Sequence, residues 1–283
     1  MDLKQLVMLA LQVSIVATVF GFGLRATFQD LLYLLRRPGL LARSLLAMFV
    51  IMPVVAVTLD VLFELRRELE IVLVALALSP VPPLLPGREQ NAGGHPPYAL
   101  GLMTIVAVLS IFTVPLTTAL LGRYFDRPFA MSPGAIATAV FVSAVLPLAA
   151  GLAFRTMLPA VAARIAKPVA LVAKVMLTAG VLAILAGSLP AALPMIGKGT
   201  LLAMAGFVVI GLVVGHLLGG PDENHRVVLA LSTASRHPAI ALTVAKANFP
   251  DQPYLGATIL LYLLVSVILG IPYQAWQSRR VKS

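Results

Sequence analysis

The sequence predicts an all-α, polytopic membrane protein. Three observations predict it: a very apolar composition, a series of runs each long enough to cross a bilayer, and two runs interrupted near their middles. Of 283 residues, 60% are hydrophobic and 11% charged, with a mean hydropathy of +0.98. Soluble domains average about 45–50% apolar and about 25% charged residues. The composition therefore excludes a soluble globular enzyme, and the chain has no collagen repeat, sustained heptad or polar low-complexity tract. It has no cysteine, which excludes disulfides, iron–sulfur clusters and thiol chemistry. The formal charge of +10, from 21 Lys and Arg against 11 Asp and Glu, fits loops held against an anionic leaflet rather than a nucleic-acid interface.

At about 20 residues per crossing, nine segments qualify: 6–24, 40–61, 70–95, 98–121, 133–154, 168–189, 200–219, 224–249 and 254–274. The first ends in Gly21-Phe22-Gly23-Leu24 rather than a small-x-small cleavage site, and reads as a span rather than a removable signal. The connection from Phe28 to Pro38 mixes apolar and polar residues in the manner of a short interfacial helix. Segment 70–95 holds Pro80, Pro82, Pro83, Pro86, Pro96 and Pro97 in or beside it, with Gly87, Gly93 and Gly94, and cannot be one continuous helix. In segment 224–249, Pro238 falls near the midpoint, directly after Arg236-His237.

The interrupted segments stand third and eighth of nine, so they run in opposite directions. The chain then divides into a first half (1–123), an intervening span (124–160) and a second half of inverted topology (161–283). Paired broken helices in an inverted-topology repeat point to a midplane binding site. Arg25, Arg36, Arg37 and Arg43 surround the first connection, Arg155, Arg164 and Lys167 follow span five, and Arg279, Arg280 and Lys282 form the tail. Nine spans put all three groups on one side. The other side receives Asp60, Glu64, Glu68 and Glu70 around Arg66 and Arg67, with Lys198 and Asp251. The positive-inside rule makes the C-terminus cytoplasmic and the N-terminus external, and the compact loops suit a bacterial inner membrane.

An ionisable residue inside a membrane is a functional candidate. Arg88-Glu89 and Arg236-His237 each sit at a break. A guanidinium there can neutralise the carbonyl ends of half-helices, or hold a carboxylate through a bidentate fork that a lysine lacks. The candidate substrate-binding set is Arg88, Glu89, Gln90, Asn91, Ser232, Ser235, Arg236 and His237. Glu89 is either a proton carrier or the ion-pair partner of Arg88 or Arg236. His237 titrates, donates a hydrogen bond to substrate, or lines the site inertly. Gln90 and Asn91 contact substrate or satisfy backbone, His95 caps the end of a half-helix, and Lys174 snorkels from its span. No metal site, cofactor motif, GxSxG, HExxH or paired intramembrane carboxylates can be picked out.

These residues resemble the bile acid:sodium symporter family. The stretch from Gly21-Phe22-Gly23-Leu24 through Leu35-Arg36-Arg37-Pro38 to Phe49-Val50-Ile51-Met52-Pro53 is similar to that family's entry into its panel domain. Glu70 through Leu100 is similar to its first crossing helix, and Leu229 through Phe249 to its second. The resemblance implies nine or ten helices in an inverted repeat, panel and core domains, alternating access, and uptake of organic anions with two sodium ions. The chain departs where that family binds sodium. A Ser-Asn pair falls on Gly87 and Arg88, a Ser and a Thr on Gly101 and Ile105, the shared Glu on Ser232, a Gln on Arg236, and a panel-side Gln on Met48.

A sodium ion a few ångströms from a guanidinium, at an effective dielectric of about 20, is disfavoured by about 4 kcal/mol, roughly a thousandfold in affinity. The expectation is a secondary transporter of an organic anion, a carboxylate, rather than an enzyme. It would be sodium-independent, with Arg88 and Arg236 in place of the ions and protons as coupling ion or none. Its partners are the substrate and the bilayer, not nucleic acid. Two alternatives stand beside it: a sodium-coupled symporter with displaced ion sites, and, from a different class, a lipid-phosphate enzyme using His225, Arg226, Arg236 and His237.

Overall fold

With apolar side chains on every face, helices are how such a backbone satisfies its own hydrogen bonds, and the described residues hold helices and no strand. The computed structural model describes residues 3–124, 132–197 and 199–280; Lys198 and Lys282, both counted in the charge pattern, lie outside the described residues. Helix α1 (Leu3–Gly23) leads through a short α2 (Phe28–Leu32) to α3 (Pro38–Phe63). Helices α4 (Arg67–Leu78) and α5 (Leu85–Asn91) are the halves of the first interrupted segment, followed by α6 (Pro96–Tyr124). Next come α7 (Pro133–Met157), α8 (Pro159–Ala192) and α9 (Thr200–Leu218). Helices α10 (Glu223–Ala234) and α11 (Pro238–Asn248) are the halves of the second interrupted segment, and α12 (Leu255–Arg280) is the last described.

Local chemistry sets these boundaries. Pro38, Pro96, Pro133, Pro159 and Pro238 open five helices, at the position where a missing N–H loses nothing. Within the connection from Phe28 to Pro38 a short helix forms as α2, its N-terminus capped by a capping box in which the Asp30 N–H donates to Thr27 Oγ1 (3.2 Å) and the Thr27 N–H to Asp30 Oδ2 (2.7 Å). The sixth span begins earlier than its expected start at 168. Leu158 alone turns the chain between α7 and α8, so Arg164 and Lys167 are helical rather than in a loop. Pro168 does not stop α8, because membrane-length helices tolerate a proline.

Eight helices among the described residues are long and apolar enough to cross a membrane. The segment 70–95 is outside that set because its break, 79–84, is twice the width of the second, 235–237. Burial separates centre from periphery: 72% of the apolar window of α10–α11 is buried, against 17% for Pro159–Ala183 of α8.

Two packed groups result. Helices α1, α7 and α8 form one, with Leu24, Ala162 and Ala166 at its centre beside Phe20 and Phe154. The α1 and α7 backbones touch at Gly23 and Gly151, where a Cβ on Gly23 would lie 2.9 Å from the Gly151 Cα. In the main core, Gly211, Gly215 and Gly219 recur every four residues along α9 and let α10 approach closely; a Cβ at Gly219 would sit 2.5 Å from the Arg226 Cα. One end of the bundle joins Arg25 Nη2 to the Ala166 carbonyl (3.0 Å), Tyr33 to His225, and Arg280 to Glu223. The other joins Arg66 Nη1 to the Pro194 carbonyl (3.2 Å) and Gln252 Nε2 to Glu68 (3.0 Å). Helices α4 and α5 together lead from the second end to the first.

Candidate functional site

The two breaks meet. The His237 N–H donates to the Pro80 carbonyl at 2.9 Å, one extended strand of backbone satisfying the other. Ser79 and Ser235 both leave their helices with extended backbone. This is the condition under which broken helices persist at membrane depth. His237 caps α11, its Nδ1 accepting from the Ile240 N–H at 3.4 Å, with Pro238 in the first turn. At the opposing end, the Tyr262 hydroxyl donates to the Ala234 carbonyl at 2.8 Å, closing the C-terminus of α10.

Arg236 lies inside this junction and has no exposed surface. Its Nη1 donates to the Ser79 carbonyl (3.3 Å) and its Nη2 to the Met48 carbonyl (3.2 Å). Sequence explains both acceptors. Ser79 ends α4, where helix carbonyls lose their N–H partners. Met48 lies in a π turn, Leu46–Ile51, in which the Met52 N–H reaches back to the Ala47 carbonyl. In that register the Met48 carbonyl would pair with residue 53, and Pro53 has no N–H to give. Helix α4 also directs its negative dipole end at the break. The guanidinium thus supplies positive charge where backbone carbonyls converge.

Glu89 is likewise fully buried, on α5. The Ser232 hydroxyl donates to its Oε1 at 2.6 Å, while Oε2 has no partner among the described residues. No ion pair joins Glu89 to either arginine there, so the expected pairing with Arg88 or Arg236 is replaced by a hydroxyl contact. Just past the end of α5, Gly93 has a φ of +91°, which lets the Gly94 N–H bond the Glu89 carbonyl at 2.8 Å.

Arg88 points elsewhere. It is half-buried, and its Nη2 lies 3.6 Å from where a Cβ on Gly270 of α12 would be. No hydrogen bond or ion pair holds it among the described residues. One residue earlier, a Cβ on Gly87 would meet the Phe22 ring of α1 at 3.4 Å, so this part of α5 abuts the α1–α7–α8 group.

The junction therefore brings Ser235, Arg236 and His237 together with Ser79, Pro80, Met48 and Tyr262, and Glu89 with Ser232. Arg88 stands apart, Gln90 is half-buried, Asn91 is exposed, and Lys174 is exposed on α8. His95 caps the start of α6 rather than the end of a half-helix, its Nδ1 accepting from the Tyr98 N–H at 3.4 Å. His225 and Arg226 begin α10 and Arg236 and His237 follow its end, about 15 Å or more apart at 1.5 Å per residue, so these four share no site. Among the described residues, no three His, Asp or Glu side chains are grouped to hold a metal ion.

The sodium bile acid symporter family model matches residues 12–193, more than half of the chain. The chain belongs to this family. The match covers the first break, with Arg88 and Glu89, and ends before α9, so it does not extend to the second break. No curated protein sequence matches the chain significantly. Family members are transporters, and the apolar helices make this one an integral, multi-pass membrane protein.

Sequence reasoning missed Met48 as a carbonyl acceptor, and Tyr262, Gly270 and Gln274. Pro53 was the available signal for Met48. On α12, Tyr262, Ser266, Gly270 and Gln274 recur every four residues, a polar and small stripe through the apolar run of that helix.

Proposed function

We propose that this protein is a secondary carrier of a small or amphipathic organic anion, working by alternating access, with Arg236 in place of a bound cation and Arg88 facing the substrate. The observation that carries this reading is the half-buried guanidinium of Arg88, without a hydrogen-bond or ion-pair partner among the described residues, on a broken half-helix beside α1. A permanent charge in that position needs an anionic partner, and a carboxylate matches its fork. Arg236, enclosed and donating to two backbone carbonyls, already provides the positive charge that a coupling cation would supply. A sodium ion beside it would meet like-charge repulsion, which supports sodium independence.

In this reading, α4–α5 and α10–α11 are crossing helices of an inverted repeat of nine spans, counting the broken third. The contacts at the two ends of the bundle support that count. The α1–α7–α8 group acts as the panel and the remaining helices as the core, moving against each other around the crossing. The loop charges support an external N-terminus and a cytoplasmic C-terminus in a bacterial inner membrane.

The test is thermal unfolding of the purified chain across a panel of organic carboxylates, each in sodium and in choline buffer. A ligand at a hundred times its dissociation constant stabilises the native state by about 2.7 kcal/mol. Equal stabilisation in both buffers, reduced by half or more in Arg88→Gln, is the expected result. Stabilisation only in sodium would make the protein a sodium-coupled symporter with displaced ion sites. Stabilisation by no carboxylate would remove the substrate class.

A further inference from the structure

Gly270 lies inside the 26-residue helix α12, where glycine weakens a helix relative to alanine. Its surroundings give a reason for it. A Cβ at this position would have two nearest neighbours, and both are nitrogen donors: Gln274 Nε2 at 3.2 Å and Arg88 Nη2 at 3.6 Å. Gln274 Nε2 is buried with no acceptor among the described residues. Arg88 has none either. Two donors that converge without an acceptor are unfavourable in a low-dielectric interior. An oxyanion set over the glycine would satisfy both at once.

The stripe on α12 places this point relative to the crossing. Tyr262, two turns before Gly270, closes the second break through the Ala234 carbonyl, and Gly270 meets the Arg88 of the first broken segment. Helix α12 also packs against α8. The point thus lies between the crossing and the α1–α7–α8 group.

We infer that Gly270 and Gln274 of α12 complete, with Arg88, a carboxylate-binding site: Arg88 supplies the charge, the Gln274 amide a second donor, and Gly270 the room for the carboxylate oxygens. This rests on the organic-anion reading and adds to it the residues that set the site's shape. The site is specific for a planar carboxylate approaching α12 edge-on, and an uncharged amide of the same shape brings an N–H against two donors.

The experiment labels Arg88 with phenylglyoxal in the purified full chain, read at the Arg88 peptide by mass spectrometry. Benzoate is the protecting probe and benzamide its uncharged control. Wild type should be protected by benzoate and not by benzamide. Gly270→Ala puts a methyl where the carboxylate sits and should weaken protection about tenfold or more, the loss of one charge-assisted hydrogen bond. Its melting temperature should stay equal or rise, since alanine favours helix. Gln274→Leu, which keeps the bulk but not the donor, should weaken protection to a smaller degree while Arg88 still labels. Undiminished protection in both variants overturns the site on α12 and leaves the organic-anion reading standing. If benzoate protects no better than benzamide in wild type, and no carboxylate shifts its melting, both fall together.

Discussion

The two broken helices carry the same residue type to opposite ends. Arg236 lies in the second break itself, which is only three residues wide, and is enclosed by the surrounding helix ends; two carbonyls accept from it and nothing of it is exposed. Arg88 lies beyond the wider first break, one turn into α5, and projects from that half-helix toward α12 with no hydrogen-bond or ion-pair partner among the described residues. One guanidinium neutralises backbone, and the other has no hydrogen-bond or ion-pair partner among the described residues. Position relative to the break decides the role: inside it a charge answers helix dipoles, and a turn beyond it a charge faces the neighbouring group.

The sharpest way to break this comparison is to remove each arginine and measure stability and binding together. Arg236→Ala orphans two buried carbonyls at about 1–3 kcal/mol each, so thermal unfolding should show the largest loss of any single change at the crossing. Arg236→Lys should recover part of it, because a compact ammonium keeps the charge but cannot fork to Ser79 and Met48. Arg88→Gln should leave unfolding within about 0.5 kcal/mol of wild type and weaken carboxylate binding roughly tenfold to a hundredfold. A large stability loss at Arg88, with little at Arg236, would exchange the two roles.

Much of this frame was legible in the chain. The prolines from Pro80 to Pro97, and Pro238 after Arg236-His237, located both breaks, because proline leaves few alternatives in a helix. The mixed apolar and polar residues from Phe28 to Pro38 pointed to a short helix at the first connection. The difference between the arginines was not legible. Helix α5 is seven residues long with four polar residues in succession, Arg88 to Asn91, so periodicity cannot say which side of it turns toward α12. The Met48 carbonyl depends on a π turn, and only Pro53, five residues later, hints at it. The hydrogen bond between His237 and Pro80 is a tertiary pairing of two irregular strands, for which sequence offers no register. Arg164 and Lys167 looked like loop charges because basic residues commonly flank spans, yet nothing in 159–168 stops a helix.

A smaller effect sharpens the comparison from the carboxylate side. The Ser232 hydroxyl is the one hydrogen-bond partner of the buried Glu89 side chain among the described residues. Ser232→Ala should lower stability by about 1–3 kcal/mol, the penalty for orphaning a buried acceptor, again read by thermal unfolding. Glu89→Gln retains an acceptor for the same hydroxyl and should be milder. If Ser232→Ala is neutral, the Glu89 carboxyl finds a different partner and does not belong with α10.

A smaller loss of stability than at Arg236 or Ser232 is expected farthest from the breaks. At the end of the bundle, the Tyr33 hydroxyl pairs with His225 Nε2 at 2.7 Å, the ring stacks on His95 with centroids 4.5 Å apart, and the Arg37 guanidinium lies 3.8 Å from the ring centre. Burial raises the Tyr33 hydroxyl above the ordinary phenol value, so it stays protonated at neutral pH. Tyr33→Phe removes one hydrogen bond and keeps both ring contacts, so thermal unfolding should fall by only about 0.5–1.5 kcal/mol. Because Tyr33 joins the α1–α3 connection to the start of α10, its loss tests whether stability is set at this end or at the crossing. A loss as large as that of Arg236→Ala would move the centre of stability to the histidine–tyrosine cluster, and the enclosed arginine would no longer be what holds the broken helices together.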